Sequence, residues 1–386
     1  MESILFIGRN PKQKYSGGRY HAMIMAIALA KNFKVTYLTN NIPKFIDDFK
    51  LYDEFNNINF DLSLFSIKCN YNNFDYIVFS PDMNPFSGIY QKAICILKNS
   101  NAKLILISFD TPNFYNLGSI KKFSFFWSGW KLISSYSSLI LSSTKISNKF
   151  AINFFDAKHK SKCKYLYPAI NERIANKFKH VRSKSILVVT RSGPHSDHKG
   201  SNEINRFFNK NFENYTFNII GLNNINKAQE YKSLANKFNI TLNFHFGISD
   251  YEKYKLISSS ECLIFPSRFE GYGYPPIEAG YFGIPSILNS LDIFKEIHEN
   301  YPLYLNEISL DDYHIFIEKH NSSKYKELIR NKINFDNYQF NLRKFLGDIN
   351  KKENAKVNLL QYWMNYFFFI VLTRIYKFLI RLKLKP

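Results

Sequence analysis

Apolar residues along this chain fall into short runs separated by longer stretches with helical spacing. Ile4–Gly8, Phe33–Thr39, Tyr76–Ser80, Leu104–Ser108 and Leu139–Ser142 read as strands, and Gly18 to Lys31 reads as the helix joining the first two. Tyr165–Asn171 reads as the last edge of this unit. The basic, apolar-poor stretch Lys177–Lys184 reads as a linker. The alternation then resumes with Ser185–Thr190, Phe217–Gly221, Thr241–Phe246, Cys262–Pro266 and Pro285–Asn289 as strands. Strands spaced by helices imply βαβ units and parallel sheets. The pattern therefore predicts an α/β protein of two doubly wound domains facing a cleft. The first covers residues 1–176 and the second 177–350, followed by a basic, aromatic tail helix over 351–386. In such sheets ligands bind beyond the carboxyl ends of the strands, where the strand order reverses.

The segment richest in chemistry follows the Cys262–Pro266 run. It reads Ser267-Arg268-Phe269-Glu270-Gly271-Tyr272-Gly273-Tyr274-Pro275-Pro276-Ile277-Glu278-Ala279-Gly280. Prolines mark the first turn of a helix, because their missing N–H is not needed there. Gly271 and Gly273 let a ligand approach the backbone. A helix N-terminus offers free N–H groups and positive dipole to an anion such as a diphosphate. Glu270 and Glu278 can accept hydrogen bonds from sugar or ribose hydroxyls. Together these suit a sugar attached to a phosphate.

This segment resembles the E-x7-E signature of retaining GT-B glycosyltransferases, above all glycosyltransferase family 4 (group 1). The likeness continues through Tyr281-Phe282-Gly283-Ile284-Pro285-Ser286-Ile287 to Phe294-Lys295-Glu296-Ile297. The resemblance implies a GT-B fold, an acceptor-side first domain and a second domain that binds a nucleotide-sugar donor. It implies a hexosyltransferase-type enzyme. Such an enzyme moves a sugar, with retention, from a nucleotide-diphosphate sugar to a glycan or lipid-linked acceptor in cell-envelope polysaccharide or glycoconjugate synthesis. A sugar phosphorylase, a sugar-phosphate synthase and an inactive binding scaffold are the alternatives on the same fold.

The resemblance extends to particular residues. In Val188-Val189-Thr190-Arg191, and then Lys199-Gly200, it implies that Arg191 and Lys199 grip the donor diphosphate, with Thr190 standing where the family has glycine. An arginine fork and a lysine point charge both suit phosphate. It gives Glu270 the donor sugar, Glu278 the ribose, and Gly271, Tyr272 and Gly273 the lining of the donor pocket. Ser16-Gly17-Gly18 resembles the family's first glycine loop, which puts Gly17 and Gly18 beside the donor phosphates. His21, one turn on, either faces the cleft or is packed. Asp110 ends a strand where the family often has histidine, and it either touches sugar or acceptor hydroxyls or caps a turn.

Composition changes the picture in several places. The 386 residues exceed one ordinary core, and 45% hydrophobic with 17% aromatic content excludes a disordered chain. Cys69, Cys95, Cys163 and Cys262 show no paired spacing, which suits a reducing cytosol; Cys69 and Cys163 are expected to be partly exposed. Ser3–Gly8 is too short for a signal-peptide core. The net charge of +21 has no basic stripe interleaved with stacking aromatics, so no nucleic acid is expected. His195, Asp197 and His198 lack a metal-ligand spacing, and no metal or other cofactor is expected beyond the nucleotide sugar as co-substrate.

The tail carries eight basic residues against one acid, Glu353. Its apolar part, Tyr362–Leu372, is shorter than a spanning helix needs. Aromatics followed by Arg374, Lys377, Arg381 and Lys383 fit a helix lying in an anionic membrane interface; the alternative is a helix bracing the two domains. Lys121–Lys131, with its aromatic and basic content, is a second interfacial candidate. The expected location is cytoplasmic, peripheral on the inner face of the membrane.

Overall fold

A computed structural model describes the chain except residues 11–15, 68–70, 83–86, 116–126, 156, 192–196 and 306–311. Within 351–386 it describes Met364, Phe367, Phe368, Ile370, Val371, Arg374, Ile375 and Phe378, all helical. Cys69, His195, Lys121–Phe126 and most of the tail therefore lie outside the described residues.

Two parallel sheets organise the chain. The first has the strand order β3-β2-β1-β4-β5-β6-β7. Its strands are β1 (Ser3–Gly8), β2 (Lys34–Leu38), β3 (Ile58–Asp61), β4 (Tyr76–Ser80), β5 (Lys103–Ser108), β6 (Ser137–Ser142) and β7 (Cys163–Tyr165). The second has the order β10-β9-β8-β11-β12-β13. Its strands are β8 (Ser185–Val189), β9 (Thr216–Ile220), β10 (Thr241–His245), β11 (Cys262–Phe265), β12 (Ser286–Leu288) and β13 (Leu303–Tyr304). Central strands β1, β4 and β11 are almost wholly buried, as expected where helices cover both faces of a parallel sheet. In each sheet the chain winds outward through its first three strands and then returns to set its fourth beside its first. The reversal crevices are β1/β4 and β8/β11.

The Gly17–Ala30 helix is buried from Tyr20 to Ala30. Its sequence is nearly all apolar because β1 lies on one side and the Phe335–Asn350 helix on another. One apolar core runs from the first sheet through Tyr272 and Tyr274 into the second, and includes Tyr338 and Leu342 of the last helix.

Polar ties also join the halves. Glu296 accepts the backbone N–H groups of Lys145 (2.8 Å) and Ile146 (2.9 Å) and the Tyr167 hydroxyl (2.9 Å). It thereby caps the Lys145–Phe155 helix from the opposite domain, where a carboxylate complements the free N–H groups and the dipole.

Two expectations are corrected. Trp127 and Trp130 are buried, with Trp130 stacked on Phe155, so the described end of the Lys121–Lys131 segment is core, not an interfacial patch. Cys163 is buried rather than partly exposed. Among the described residues Cys163 and Cys262 are free thiols. Also among these, no helix is long and apolar enough to cross a membrane.

Candidate active site

The loops after β8 and β11 are stitched together, which brings the two halves of the sequence motif into one place. The Arg268 N–H donates to the His198 carbonyl (2.6 Å), and the Ser267 hydroxyl donates to the same oxygen (3.3 Å). Gly200 has φ +68°, and a Cβ there would lie 2.0 Å from the Pro266 carbonyl oxygen. Only glycine meets both demands. The result is a contact 71 residues apart in sequence: Lys199 Nζ lies 2.6 Å from Glu270 Oε1. Arg191 is exposed directly after β8. The residues between Arg191 and Asp197 lie outside the described set. Among the described residues no three His, Cys, Asp or Glu side chains gather as a metal-ligand set.

Asp110, just past β5, comes from the opposite domain to meet this pair. A Cβ on Gly271 would lie 1.7 Å from Asp110 Oδ1, so the backbone after Glu270 passes directly against the carboxylate. Asp110 Oδ1 is shut off from solvent and has no hydrogen-bond partner among the described residues. Burial, reinforced by Glu270 and opposed by Lys199, pushes the Asp110 carboxyl up to about 7. Such a group can be a neutral hydrogen-bond donor near neutral pH.

Glu278 lies in the helix Tyr274–Phe282 and is 1% exposed. It is tied where sequence reading expected a free carboxylate. Lys253 Nζ lies 2.7 Å from Glu278 Oε1, and the Tyr254 hydroxyl donates to the same oxygen at 3.2 Å. Lys253 also pairs with Asp250 (2.7 Å), which accepts the Tyr20 hydroxyl of the first domain (2.5 Å). Burial raises the Glu278 carboxyl above its ordinary value, against the pull of Lys253. Lys253, Asp250 and Tyr20 were missed from sequence. Only the Asp250–Lys253 spacing, one helical turn, marks any of them.

The glycines and tyrosines of the motif form the seam between domains. Gly17 abuts the Tyr274 ring, 3.6 Å from where its Cβ would be, and Gly18 abuts Phe109 at 3.3 Å. Gly273 has φ +81° and faces the Phe294 ring, where a Cβ would lie 2.7 Å away. Tyr272 is buried, and its hydroxyl donates to the Pro168 carbonyl of the first domain (2.5 Å). His21 takes the packed alternative. Its Nε2 lies 2.9 Å from the Tyr338 hydroxyl, and burial pushes its pKa down to about 3. It is a neutral core imidazole and not part of the cleft.

Comparison with known proteins bears on the fold and on the class of reaction. Residues 171–335 match the family model described as glycosyl transferases group 1. The O-antigen chain mannosyltransferase RfbU of Salmonella typhimurium is 41% identical over 51 residues, 13% of this chain and 14% of that protein. The serotype-specific mannosyltransferase WbdA of Escherichia coli is 32% identical over 96 residues, 24% of this chain and 12% of that one. The matched stretches are thus a small part of either relative. Among solved structures, Anabaena Alr3699/HepE in complex with UDP and glucose superposes with a TM-score of 0.67 at 12% identity, covering 90% of this chain and all of that one. By fold the chain is a GT-B protein, and residues 171–335 match the model of the glycosyl transferases group 1 family.

Proposed function

We propose that this protein is a retaining, metal-independent glycosyltransferase. It transfers a hexosyl group from a nucleotide-diphosphate sugar to a glycan or lipid-linked acceptor in cell-envelope polysaccharide synthesis. The observation that carries the reading is the Lys199–Glu270 pair at the β8/β11 crevice, facing Asp110 across the cleft. The group 1 match over 171–335 and the two mannosyltransferase relatives support the class of reaction. The UDP and glucose of the Anabaena structure support a nucleotide-sugar donor.

The chemistry follows from the residues. As the sugar–phosphate bond breaks, negative charge grows on the leaving diphosphate. Lys199 and Arg191 stabilise it, as fixed cations do in a site that excludes water. Glu270, released when Lys199 turns to phosphate, accepts hydrogen bonds from the donor sugar. Asp110 reaches the same sugar or the acceptor from the other side. Glu278 serves the ribose hydroxyls while Lys253 keeps its charge compensated. Gly17, Gly18, Gly271 and Gly273 pack against Tyr274, Phe109, Asp110 and Phe294, so their backbone reaches the diphosphate only once those seam contacts part.

The tail supports placement on an anionic membrane surface. Met364, Phe367, Phe368, Ile375 and Phe378 are exposed at 49–70% and recur at helical three- and four-residue spacing, so they share one face. Exposed Arg374 borders that face.

The test is a thermal-shift screen against a panel of nucleotide sugars, followed by NMR assignment of the product's anomeric configuration. Stabilisation by one donor and a product with the donor's configuration are expected. Failure to transfer or hydrolyse any donor would mark an inactive scaffold, and a soluble sugar-phosphate product would mark a synthase.

A further inference from the structure

The first domain carries an ion pair at the place equivalent to Lys199–Glu270. Arg9 directly follows β1, Asp82 closely follows β4, and Arg9 Nη1 lies 2.7 Å from Asp82 Oδ2. In the second domain Lys199 follows the first strand of its sheet and Glu270 the fourth, at 2.6 Å. Each pair spans the crevice where its sheet's strand order reverses, the position at which open α/β sheets bind ligands. The Asp82 loop is fixed from behind, since the Tyr90 hydroxyl and Trp130 Nε1 both donate to the Asp82 carbonyl.

A second guanidinium lies beside this pair. Arg19, in the first turn of the Gly17–Ala30 helix, donates from Nε to the Arg9 carbonyl (2.9 Å) and from Nη1 to Ser16 Oγ (3.3 Å). Arg9 pairs with Asp82, and Arg19, held on the Arg9 carbonyl and Ser16, sets a second cation within the field of that carboxylate. Burial, with Arg9 adding to it against the pull of Asp82, lowers the Arg19 pKa below its ordinary value. An incoming anion would offset the cost of burying that guanidinium. Two more polar atoms at the junction are shut off from solvent and have no partner among the described residues: Arg9 Nε, a donor, and Asn10 Oδ1, an acceptor.

We propose that the Arg9–Arg19 crevice binds a phosphate or diphosphate carried by the acceptor, so that the enzyme's second substrate is a phosphorylated molecule. This rests on the reading of the protein as a glycosyltransferase whose first domain takes the acceptor. Arginine supplies planar, multi-donor recognition of phosphate that lysine does not. The arrangement gives each substrate its own anion site, one at the reversal point of each sheet.

The test uses calorimetric titration of the full chain with inorganic pyrophosphate. Wild type is expected to show two sites, only one of which is competed by the nucleoside diphosphate that the chain binds. Arg19→Gln removes the uncompeted site, weakening it at least about tenfold, as loss of a charge-assisted contact to phosphate should. Lys199→Ala removes the other. If Arg19→Gln loses the native circular dichroism, Arg19→Lys carries the comparison, with a smaller loss expected because the charge remains but the fork does not.

Farnesyl diphosphate in detergent micelles and mannose 1-phosphate then distinguish a lipid-borne from a water-soluble acceptor; selective binding of either at the Arg19 site supports the proposal. A wild type with one site, or an Arg19 variant that retains both, overturns it. If Arg19→Gln removes its site while Lys199→Ala leaves nucleotide binding intact, the phosphate site stands and the donor assignment fails.

Discussion

Lys199 Nζ and Glu270 Oε1, 2.6 Å apart, hold each other in the absence of substrate. The lysine is 20% exposed and the glutamate 11%. Their pairing keeps both charges compensated in a cleft too dry to leave either alone. A donor diphosphate is the group that can take the lysine from the glutamate and, by doing so, free the glutamate for sugar hydroxyls. One ion pair thus readies both ends of the donor site.

Replacing Lys199 by alanine removes the stabilisation of leaving-group charge and strands Glu270. Steady-state kinetics should show kcat lowered about 10²–10³-fold, the scale of one lost charge-stabilising donor. Arg191→Ala should fall in the same range with less change in stability, because Arg191 is exposed. Near-normal turnover in a well-folded Lys199→Ala protein would falsify the role.

Asp110 gives the stability a pH dependence with a definite sign. Its carboxyl in the folded protein is raised to about 7, whereas an unfolded aspartate ionises near 4. Between those values the folded state holds a proton that the unfolded state has released. Stability from this group is therefore present below about pH 4, declines as pH rises, and is gone above about 7. Asp48 and Glu172 are also raised, to about 6 and about 7, and slope the same way. The measurement is therefore a difference. The melting temperature of Asp110→Asn minus that of wild type should be near zero or negative at pH 4 and rise toward pH 8. A difference that does not change with pH would show that Asp110 ionises normally.

Gly271 and Asp110 should be coupled. Gly271→Ala puts a methyl on the Asp110 carboxylate and is expected to destabilise by about 1–3 kcal/mol, the usual cost of overpacking. The same change in an Asp110→Ala background should cost much less, with a coupling energy on the order of 1 kcal/mol in denaturant melts. Additive effects would mean that the backbone yields and the contact is soft.

Most of the sheet strands were legible because both faces of a parallel sheet are covered, leaving dense apolar runs such as Tyr76–Ser80. β3 and β13 escaped notice for physical reasons, and the last edge expected at Tyr165–Asn171 lies earlier, at β7. β3 alternates Asn59 and Asp61 with Ile58 and Phe60 at a sheet edge, and β13 is two residues long. The donor motif was legible as local sequence, but its neutralisation by Lys253 was not, since an ion pair across 25 residues leaves no periodic trace. His21 stayed ambiguous because its helix is apolar all round, so no polar face says which side is cleft. Trp127 and Trp130 misled because aromatic residues beside lysines look alike in a core and at a membrane.

Metal independence is a prediction about the source of positive charge. Arg191, Lys199 and the N-terminus of the Tyr274–Phe282 helix are proposed to meet the diphosphate. Turnover should then survive EDTA with less than about a twofold change, far below the 10²–10³-fold effect of losing a charge stabiliser. Complete loss on chelation, restored by manganese or magnesium, would sink the mechanism and return His195 and His198 to consideration as ligands.

The tail makes the last prediction. Its described residues put five large apolar side chains on one exposed helical face, an arrangement that water opposes unless something covers it. The eight basic residues of 351–386 against one acid commit the expectation to an anionic lipid surface. Each cation near such a surface contributes on the order of 1 kcal/mol and is screened by salt, whereas aromatic burial is not. Flotation of the full chain with anionic vesicles should therefore weaken, without vanishing, as salt rises. A chain ending at Lys356 should lose flotation while keeping its melting temperature. If both chains float equally, the anchor lies elsewhere. If the shorter chain melts several degrees lower and neither floats, the tail is a brace between the domains. If the full chain alone self-associates without lipid, a second copy covers that face.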